Sequence, residues 1–284
     1  MNSHVLVCDF DEQLISRFHH RNLVLRVKST DLIAHAVRIV QEKNNLYALW
    51  LQGDLPLSEL DITELEKSNT VPFCLEVAGL GNFRESIGQI RSLRKLDVLV
   101  MLAEDAPGTY RDLKILSSLF VPCGIRFGKR CPDWESLADL ISYSVYSKAP
   151  HAPIEPFHFV MSNYDPGKRI DFRSVYFEDP CEFLQVDPHG RIALSREERE
   201  GEKFISIDLE DLDRVKEFPS YIQKTEAWRD FFLKPDGCAY CPGWQICLGK
   251  FEWTEDKESG CMKFFGEFME AVDHDCERKK AEAV

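Results

Sequence analysis

The feature that most constrains the fold of this chain is a regular alternation of apolar and amphipathic segments between residues 22 and 147. Short, unbroken apolar runs predict buried strands, and apolar residues at three- and four-residue spacing predict helices packed on them. The pattern predicts strands at 22–27, 46–52, 72–79, 97–103 and 124–127, a further strand at 4–10, and helices at 31–42, 58–67, 82–94, 107–119 and 133–146. Such an order predicts an α/β fold with a parallel sheet, either doubly wound or a full or partial (β/α) barrel.

Functional side chains on parallel sheets lie where the strands end, at their carboxyl termini. The candidates at these ends are Lys28, Gly53, Asp54, Glu76, Glu104, Asp105 and Arg126. Glu76 is the most informative of them, because a carboxylate inside an apolar strand needs a partner. Arg126 or Lys28 could serve, and we expect a structural ion pair rather than a remnant of a pocket.

The character of the sequence changes near residue 150. Residues 148–159 contain three prolines and predict a linker, 181–195 predict a β-hairpin, and 209–218 and 225–233 predict helices. A further amphipathic helix follows Cys261. We therefore expect two domains, residues 1–150 with the β/α pattern and residues 151–284 with a cysteine-rich segment.

Charge and cysteine use limit the function classes. Of the 284 residues, 48 are acidic and 35 are basic, for a net charge of −13, which argues against nucleic acid as a partner. The N-terminus lacks a signal-peptide pattern, and the longest apolar runs are too short to cross a bilayer. We expect a cytoplasmic protein without a membrane partner, whose ten cysteines serve metal or redox chemistry.

Four of these cysteines form a candidate metal site. Cys238, Cys241, Cys247 and Cys261 follow the pattern C-x2-C-x5-C-x13-C, beginning in "CAYCPGWQIC". Closely spaced thiolates repel one another unless a cation neutralises them, so the spacing favours a bound metal over four scattered thiols. Structural zinc tends to use two short pairs, whereas 4Fe–4S clusters accept uneven spacings. The spacing alone leaves both occupants open, with a tilt towards iron–sulfur.

The order of these elements resembles the SPASM domain, which follows the catalytic barrel in many peptide-modifying radical-SAM enzymes. The resemblance covers residues 181–265: a hairpin led by Cys181, then the cysteine trio, then the "GC" of Cys261. It implies that Cys238, Cys241, Cys247 and Cys261 hold an auxiliary 4Fe–4S cluster. A second auxiliary cluster is not implied, because its cysteines after the hairpin and after the trio are missing, the latter position being Phe251.

The N-terminal half resembles a radical-SAM barrel that lacks its catalytic motif. The strand and helix in "LVLRVKSTDLIAHAVRIV" look like the family's first βα unit without the cysteine loop, and Leu51–Leu57 looks like a reduced Gly-Gly-Glu-Pro segment. No C-x3-C-x2-C occurs in the chain, so we expect no cleavage of S-adenosylmethionine. The resemblance implies a non-catalytic protein with one cluster, acting as partner, peptide-substrate carrier or electron relay for a radical-SAM maturase and its precursor peptide.

Two alternatives remain open. The chain could be an enzyme of another class that uses the strand ends around Asp54, Glu76, Glu104 and Arg126, with the cysteines purely structural. It could also be a zinc-stapled interaction module. Among the other cysteines, Cys74 and Cys123 are predicted to be core residues, Cys8 and Cys131 are isolated, and Cys276 is a second choice for the fourth ligand.

Overall fold

A mostly parallel sheet of nine strands is the centre of the fold in the computed structural model, which describes residues 4–67, 71–128, 132–233, 237–249, 251 and 260–282. The strands are β1 (Val5–Asp9), β2 (Asn22–Val27), β3 (Asn45–Gln52), β4 (Phe73–Val77), β5 (Val98–Ala103), β6 (Cys123–Arg126), β7 (Ile154–Glu155), β8 (Phe183–Val186) and β9 (Ile192–Ala193). The predicted α/β class and the predicted strands are confirmed, with ends that differ by one or two residues.

The helices alternate with these strands as the apolar pattern predicts. They are α1 (Glu12–Ser16), α2 (Ile33–Gln41), α3 (Thr63–Lys67), α4 (Phe83–Leu93), α5 (Thr109–Ser118), α6 (Trp134–Tyr146), α7 (Phe157–Asn163), α8 (Arg196–Glu200), α9 (Pro219–Glu226), α10 (Asp230–Leu233), α11 (Trp244–Cys247) and α12 (Gly260–Glu282). Asn82 caps α4 as expected, since its side-chain oxygen accepts a hydrogen bond from the Arg84 N–H.

Three predicted helices are wrong in extent or type. The segment 225–233 begins within α9, passes through a 3₁₀ turn at Ala227–Arg229 and ends in the short helix α10. The segment 58–67 is divided, because Leu60 is extended and Asp61 accepts a hydrogen bond from the Thr63 N–H, which starts α3 at Thr63. The segment 209–218 forms two short 3₁₀ turns, Leu209–Asp213 and Val215–Glu217. Pro219 restricts Phe218 to extended backbone, so an α-helix cannot continue through it.

The strands lie in the order β7-β6-β5-β4-β3-β2-β1-β8-β9. From β1 to β7 each strand pairs with its neighbours in sequence, and every pair for which a register is defined in this stretch is parallel. The single direction from β1 to β7 is that of a (β/α) barrel, whereas the return of the chain to the other side of β1 is also found in doubly wound sheets, so the choice between the two stays a prediction. β8 adds to the other side of β1 in parallel, and β9 returns antiparallel to β8.

The predicted hairpin is confirmed in β8 and β9. Asp187 closes its turn, because its Oδ1 accepts hydrogen bonds from the backbone N–H groups of His189 and Arg191. Gly190 takes a φ of 86° there, a left-handed conformation that favours glycine.

Contacts divide the chain into two compact units, each made of two segments. Unit 1 comprises Met1–Met101 and Tyr176–Glu226, and unit 2 comprises Leu102–Val175 and Ala227–Val284. This division differs from the boundary near residue 150 that composition indicates, since β8 and β9 belong to the unit that contains β1.

Each unit has its own apolar core. In unit 1 the buried side chains of β2 and β3 are covered by α2 residues such as Ile33 and Val40. In unit 2 the core is aromatic: the Phe157 and Phe268 rings meet edge to face at 5.4 Å, and a cavity of about 10 Å³ lies among them. No helix within the described part of the chain combines the length and the apolar character that a membrane crossing needs.

Candidate functional site

The three cysteines of "CAYCPGWQIC" lie on two consecutive short turns in unit 2. A 3₁₀ turn over Gly237–Tyr240 carries Cys238, and the Cys241 N–H donates to the Cys238 carbonyl at 3.2 Å. The chain then enters α11, where the Cys247 N–H donates to the Gly243 carbonyl at 2.9 Å. Cys241 and Cys247 are buried, and Cys238 is half-buried. The trio is therefore held by local backbone hydrogen bonds.

The start of α12 packs against this segment, which we call the cysteine knuckle (residues 237–247). A Cβ atom at Gly243 would lie 2.5 Å from Cδ1 of Phe265, closer than atoms approach, so only glycine fits there. At the other end of the knuckle, a Cβ atom at Gly237 would lie 3.5 Å from Cε of Met262. Cys261 directly precedes Met262 in the chain, so it lies in the part of α12 that packs on the knuckle.

The thiol groups do not converge on one point in this arrangement. Among the residues that the structure describes, no three His, Cys, Asp or Glu side chains are grouped so as to hold a metal ion. Burial raises the pKa of the Cys241 thiol. The backbone and the donor chemistry suit a four-thiolate site, but the thiols must turn towards one another to form it. The ligand set stays a prediction.

The alternative fourth ligand lies far along the same helix. Cys276 is fifteen residues after Cys261 within α12, a rise of about 22 Å. The contacts between α12 and the knuckle are made by Met262 and Phe265, close to Cys261 in the chain, and the choice of Cys261 over Cys276 stays a prediction. Cys181 belongs to unit 1, where its backbone N–H donates to Asp179, and not to the unit that holds the knuckle.

The remaining cysteines behave largely as expected. Cys74 and Cys123 are buried in β4 and β6, which confirms them as core residues. Cys8 is also fully buried, in β1, and burial raises the pKa of its thiol to about 12. Cys131 lies outside the described residues.

Aromatic side chains surround the knuckle. The Trp244 ring stacks on Trp228 at 5.7 Å, and the Phe232 ring meets Trp244 edge to face at 5.1 Å. Several large apolar side chains of the same region are exposed to solvent, namely Phe232, Leu233, Tyr240 and Met262. The knuckle thus lies among aromatic side chains, part of whose surface is exposed to solvent.

A second cluster of polar side chains lies at the strand ends of unit 1, and Glu76 belongs to it. The Trp50 Nε1–H donates to Glu76 Oε2 at 3.2 Å, and Nη1 of Arg196 lies 3.8 Å from the same oxygen. The Arg196 guanidinium also stands over the Trp50 ring at 5.6 Å. Lys28, one predicted partner of Glu76, is exposed, and the pairing of Glu76 with Arg126 stays a prediction.

Arg26 is the centre of the other half of this cluster. It is 2% exposed, its Nε lies 3.0 Å from Oδ1 of Asp9, and its Nη1 donates to Oε1 of Gln185 at 3.2 Å. Oδ2 of Asp9 lies 3.1 Å from Nη1 of Arg199. We call Asp9, Arg26, Trp50, Gln52, Glu76, Gln185, Arg196 and Arg199 the strand-end cluster.

The other predicted strand-end candidates are not drawn into that cluster. Glu104 belongs to unit 2, where it accepts hydrogen bonds from the Tyr110 hydroxyl at 2.8 Å and from the Asp133 N–H at 3.2 Å. Those contacts hold the start of α6, a structural role. Asp54 and Asp105 are exposed, and the Gly53 N–H donates to the Glu76 carbonyl at 3.1 Å.

Sequence reasoning missed Arg26, Arg196 and Arg199. Arg26, like Glu76, is a charged residue inside an apolar strand. The segment "NLVLRV" was therefore sufficient to identify it as a candidate. Arg196 and Arg199 stand in the charged helix "REERE", which is typical of a solvated surface and gave no signal.

No protein-family model matches this chain. A search of the curated proteins likewise finds no match.

Proposed function

We propose that this protein binds one 4Fe–4S cluster through Cys238, Cys241, Cys247 and Cys261 in a SPASM-like region. We further propose that it acts without catalysis as partner, peptide-substrate carrier or electron relay for a peptide-modifying radical-SAM maturase. The observation that supports this most is the packing of Phe265, near the start of α12, on Gly243 of the knuckle, since Cys261 belongs to the same part of that helix. Four thiolates from one compact unit are a ligand set that such clusters accept.

The strand order supports the barrel part of the proposal. A sheet whose parallel strands follow one another from β1 to β7 is wound in one direction, as in a partial (β/α) barrel that resembles a radical-SAM core. The chain has no C-x3-C-x2-C, so the proposal includes no cleavage of S-adenosylmethionine.

The residues around the knuckle have roles that follow from their contacts. The four cysteines would hold the cluster as thiolates, and the bound cluster would supply one-electron transfer. Phe265 packs on Gly243 and the Trp244 ring stacks on Trp228, and apolar side chains around a metal group tune its potential. The exposed side chains of Phe232, Leu233 and Tyr240 provide an apolar surface for a protein partner.

Anaerobic purification with iron, sulfide and zinc counting tests the proposal. We expect a brown protein with about four irons and four sulfides per chain. Cys238→Ala and Cys241→Ala should lose the iron, while Cys276→Ala, the matched control on α12, should keep it. One zinc and negligible iron would instead establish the zinc-stapled module. Cleavage of S-adenosylmethionine by the reduced protein would overturn the non-catalytic role.

The strand-end cluster favours a second candidate function, an enzyme of another class in which the cysteines are structural. Buried charged groups at the carboxyl ends of parallel strands are typical of active sites. A mass-spectrometric turnover screen on mixed metabolites tests this function. A conversion that persists in Cys238→Ala and disappears in Glu76→Gln would establish it, and no conversion in any mixture would count against it.

A further inference from the structure

We propose that the strand-end cluster of unit 1 is a binding site for the carboxylate group of a small molecule, which Arg26, Gln52 and Arg196 would hold. Three nitrogen atoms carry the proposal: Nη2 of Arg26, Nε2 of Gln52 and Nη1 of Arg196. Each is buried, and none has a hydrogen-bond acceptor among the residues that the structure describes.

These three side chains point to one face of the sheet. Arg26 on β2 pairs with Trp50 on β3, and aligned residues of neighbouring strands share a face. Gln52 lies two residues beyond Trp50, so it returns to that face, with a Cα about 8 Å from the Cα of Arg26. Arg196 reaches the same face from α8, because it contacts the Trp50 ring and the Glu76 carboxylate.

The chemistry of these groups selects the ligand. All three are N–H donors, so the group that satisfies them must supply acceptors only, as an oxyanion does. A buried donor without an acceptor lowers the stability of the fold. Arg26 is almost completely buried, so three such donors on one face destabilise the protein unless a ligand binds to them. Guanidinium groups also match the two oxygens of a carboxylate in geometry.

The charge balance favours a carboxylate over a phosphate. The guanidiniums of Arg26 and Arg199 share the Asp9 carboxylate, with oxygen distances of 3.0 and 3.1 Å. Arg196 is balanced by Glu200 at 2.7 Å and by the negative charges of Glu76 and Glu178. A network that already holds this much negative charge repels a dianion more strongly than a singly charged group, so a carboxylate is favoured over a phosphate.

The position of the cluster agrees with this assignment. Arg26, Gln52 and Glu76 stand at or next to the carboxyl ends of β2, β3 and β4. Ligands of parallel α/β sheets bind outside these ends. The aromatic rings of Trp50 and Phe177, 5.7 Å apart, border the donors and give the rest of the ligand an apolar wall.

The test measures binding of simple anions to the full chain at constant ionic strength. Acetate, succinate, inorganic phosphate and chloride are titrated while the thermal midpoint and the calorimetric heat are recorded. We expect a saturable rise in the midpoint with the carboxylates, a smaller one with phosphate and none with chloride. Equal responses to all anions, or no saturable response to either carboxylate, would overturn the proposal and leave the donors with ordered water only.

Variants separate the site from general effects. Gln52→Leu removes one donor without touching an ion pair, and Arg26→Lys keeps the charge but removes Nη2. Each should weaken carboxylate binding about tenfold, the effect of one hydrogen bond to a charged group. Gln89→Leu is the matched control, because Gln89 carries a buried oxygen without a partner but lies on α4. Unchanged affinity in Gln52→Leu would contradict the assignment even if Arg26→Lys fails to fold.

Discussion

The Phe265 ring of α12 lies directly over Gly243 of the cysteine knuckle, so that a side chain on residue 243 would occupy the space of that ring. The φ of Gly243 is −90°, which any residue adopts, so glycine is needed there for space and not for conformation. This close approach joins the trio to the helix that carries Cys261.

We predict that Gly243→Ala separates the knuckle from α12. The added methyl group overpacks the contact and should lower the free energy of unfolding by ~1–3 kcal/mol. Iron content after anaerobic purification should fall with it. Gly266→Ala is the control, because a Cβ atom there would lie 3.9 Å from Cγ of Pro242, an ordinary contact, and alanine favours the helix. A Gly243→Ala protein with full iron and unchanged stability would contradict the packing.

The two helix cysteines should differ in their effect on the cluster. Cys261→Ala should remove most of the iron and sulfide, because its turn of α12 adjoins Gly237. Cys276→Ala should leave both counts unchanged, since that residue lies about 22 Å further along the helix. Iron and sulfide analysis together with the visible absorption spectrum gives the measurement. The reverse pattern would assign the fourth ligand to Cys276.

The strands β1 to β6 could be predicted from the sequence, because buried parallel strands are unbroken apolar runs. The predicted linker 148–159 is wrong, since it contains β7 (Ile154–Glu155) and the start of α7. β2 and β5 coincide with such runs to within one residue. The hairpin was equally readable, since Asp187 and Gly190 are turn residues with a definite hydrogen-bonding and conformational role. These features depend on neighbours in sequence.

The structural features that could not be predicted from the sequence depend on contacts between residues far apart in the chain. Arg196 reaches Glu76 across 120 residues, and nothing in a charged surface helix indicates that contact. The strand order, in which β8 pairs with β1 on the side opposite β2, is likewise set by pairing between distant segments. The knuckle was predicted from its spacing, but the approach of Phe265 to Gly243 required the structure.

Removing the Tyr110 hydroxyl should test the structural role of Glu104. Tyr110→Phe leaves the buried Glu104 carboxylate with one donor fewer, and hydrogen bonds to charged groups contribute ~1.5–3 kcal/mol. We expect a loss of about that size in chemical denaturation, with no effect on carboxylate binding or iron content. Ser118→Ala is a milder comparison, because its hydroxyl contacts are exposed. Loss of anion binding in Tyr110→Phe would instead connect Glu104 to the ligand site.

Folding stability should rise between pH 4 and pH 6.5 because of His4. The pKa of His4 is lowered from 6.5 to about 4, first by burial and then by the positive charge of Lys216, while a hydrogen bond with the Pro180 backbone opposes both. The unfolded chain therefore binds a proton that the folded chain excludes in this window. Neutral His4 contributes fully to the free energy of unfolding above the pKa of the unfolded chain. That contribution is lost as the pH falls towards the pKa of the folded chain, a change of up to about 3 kcal/mol.

The measurement is chemical denaturation at a series of pH values. The free energy of unfolding should rise less steeply with pH in His4→Gln, which cannot titrate, and as steeply as in the wild type in His19→Gln, which alters an exposed histidine. Equal slopes in all three proteins would show that His4 is not excluded from protonation in the folded state.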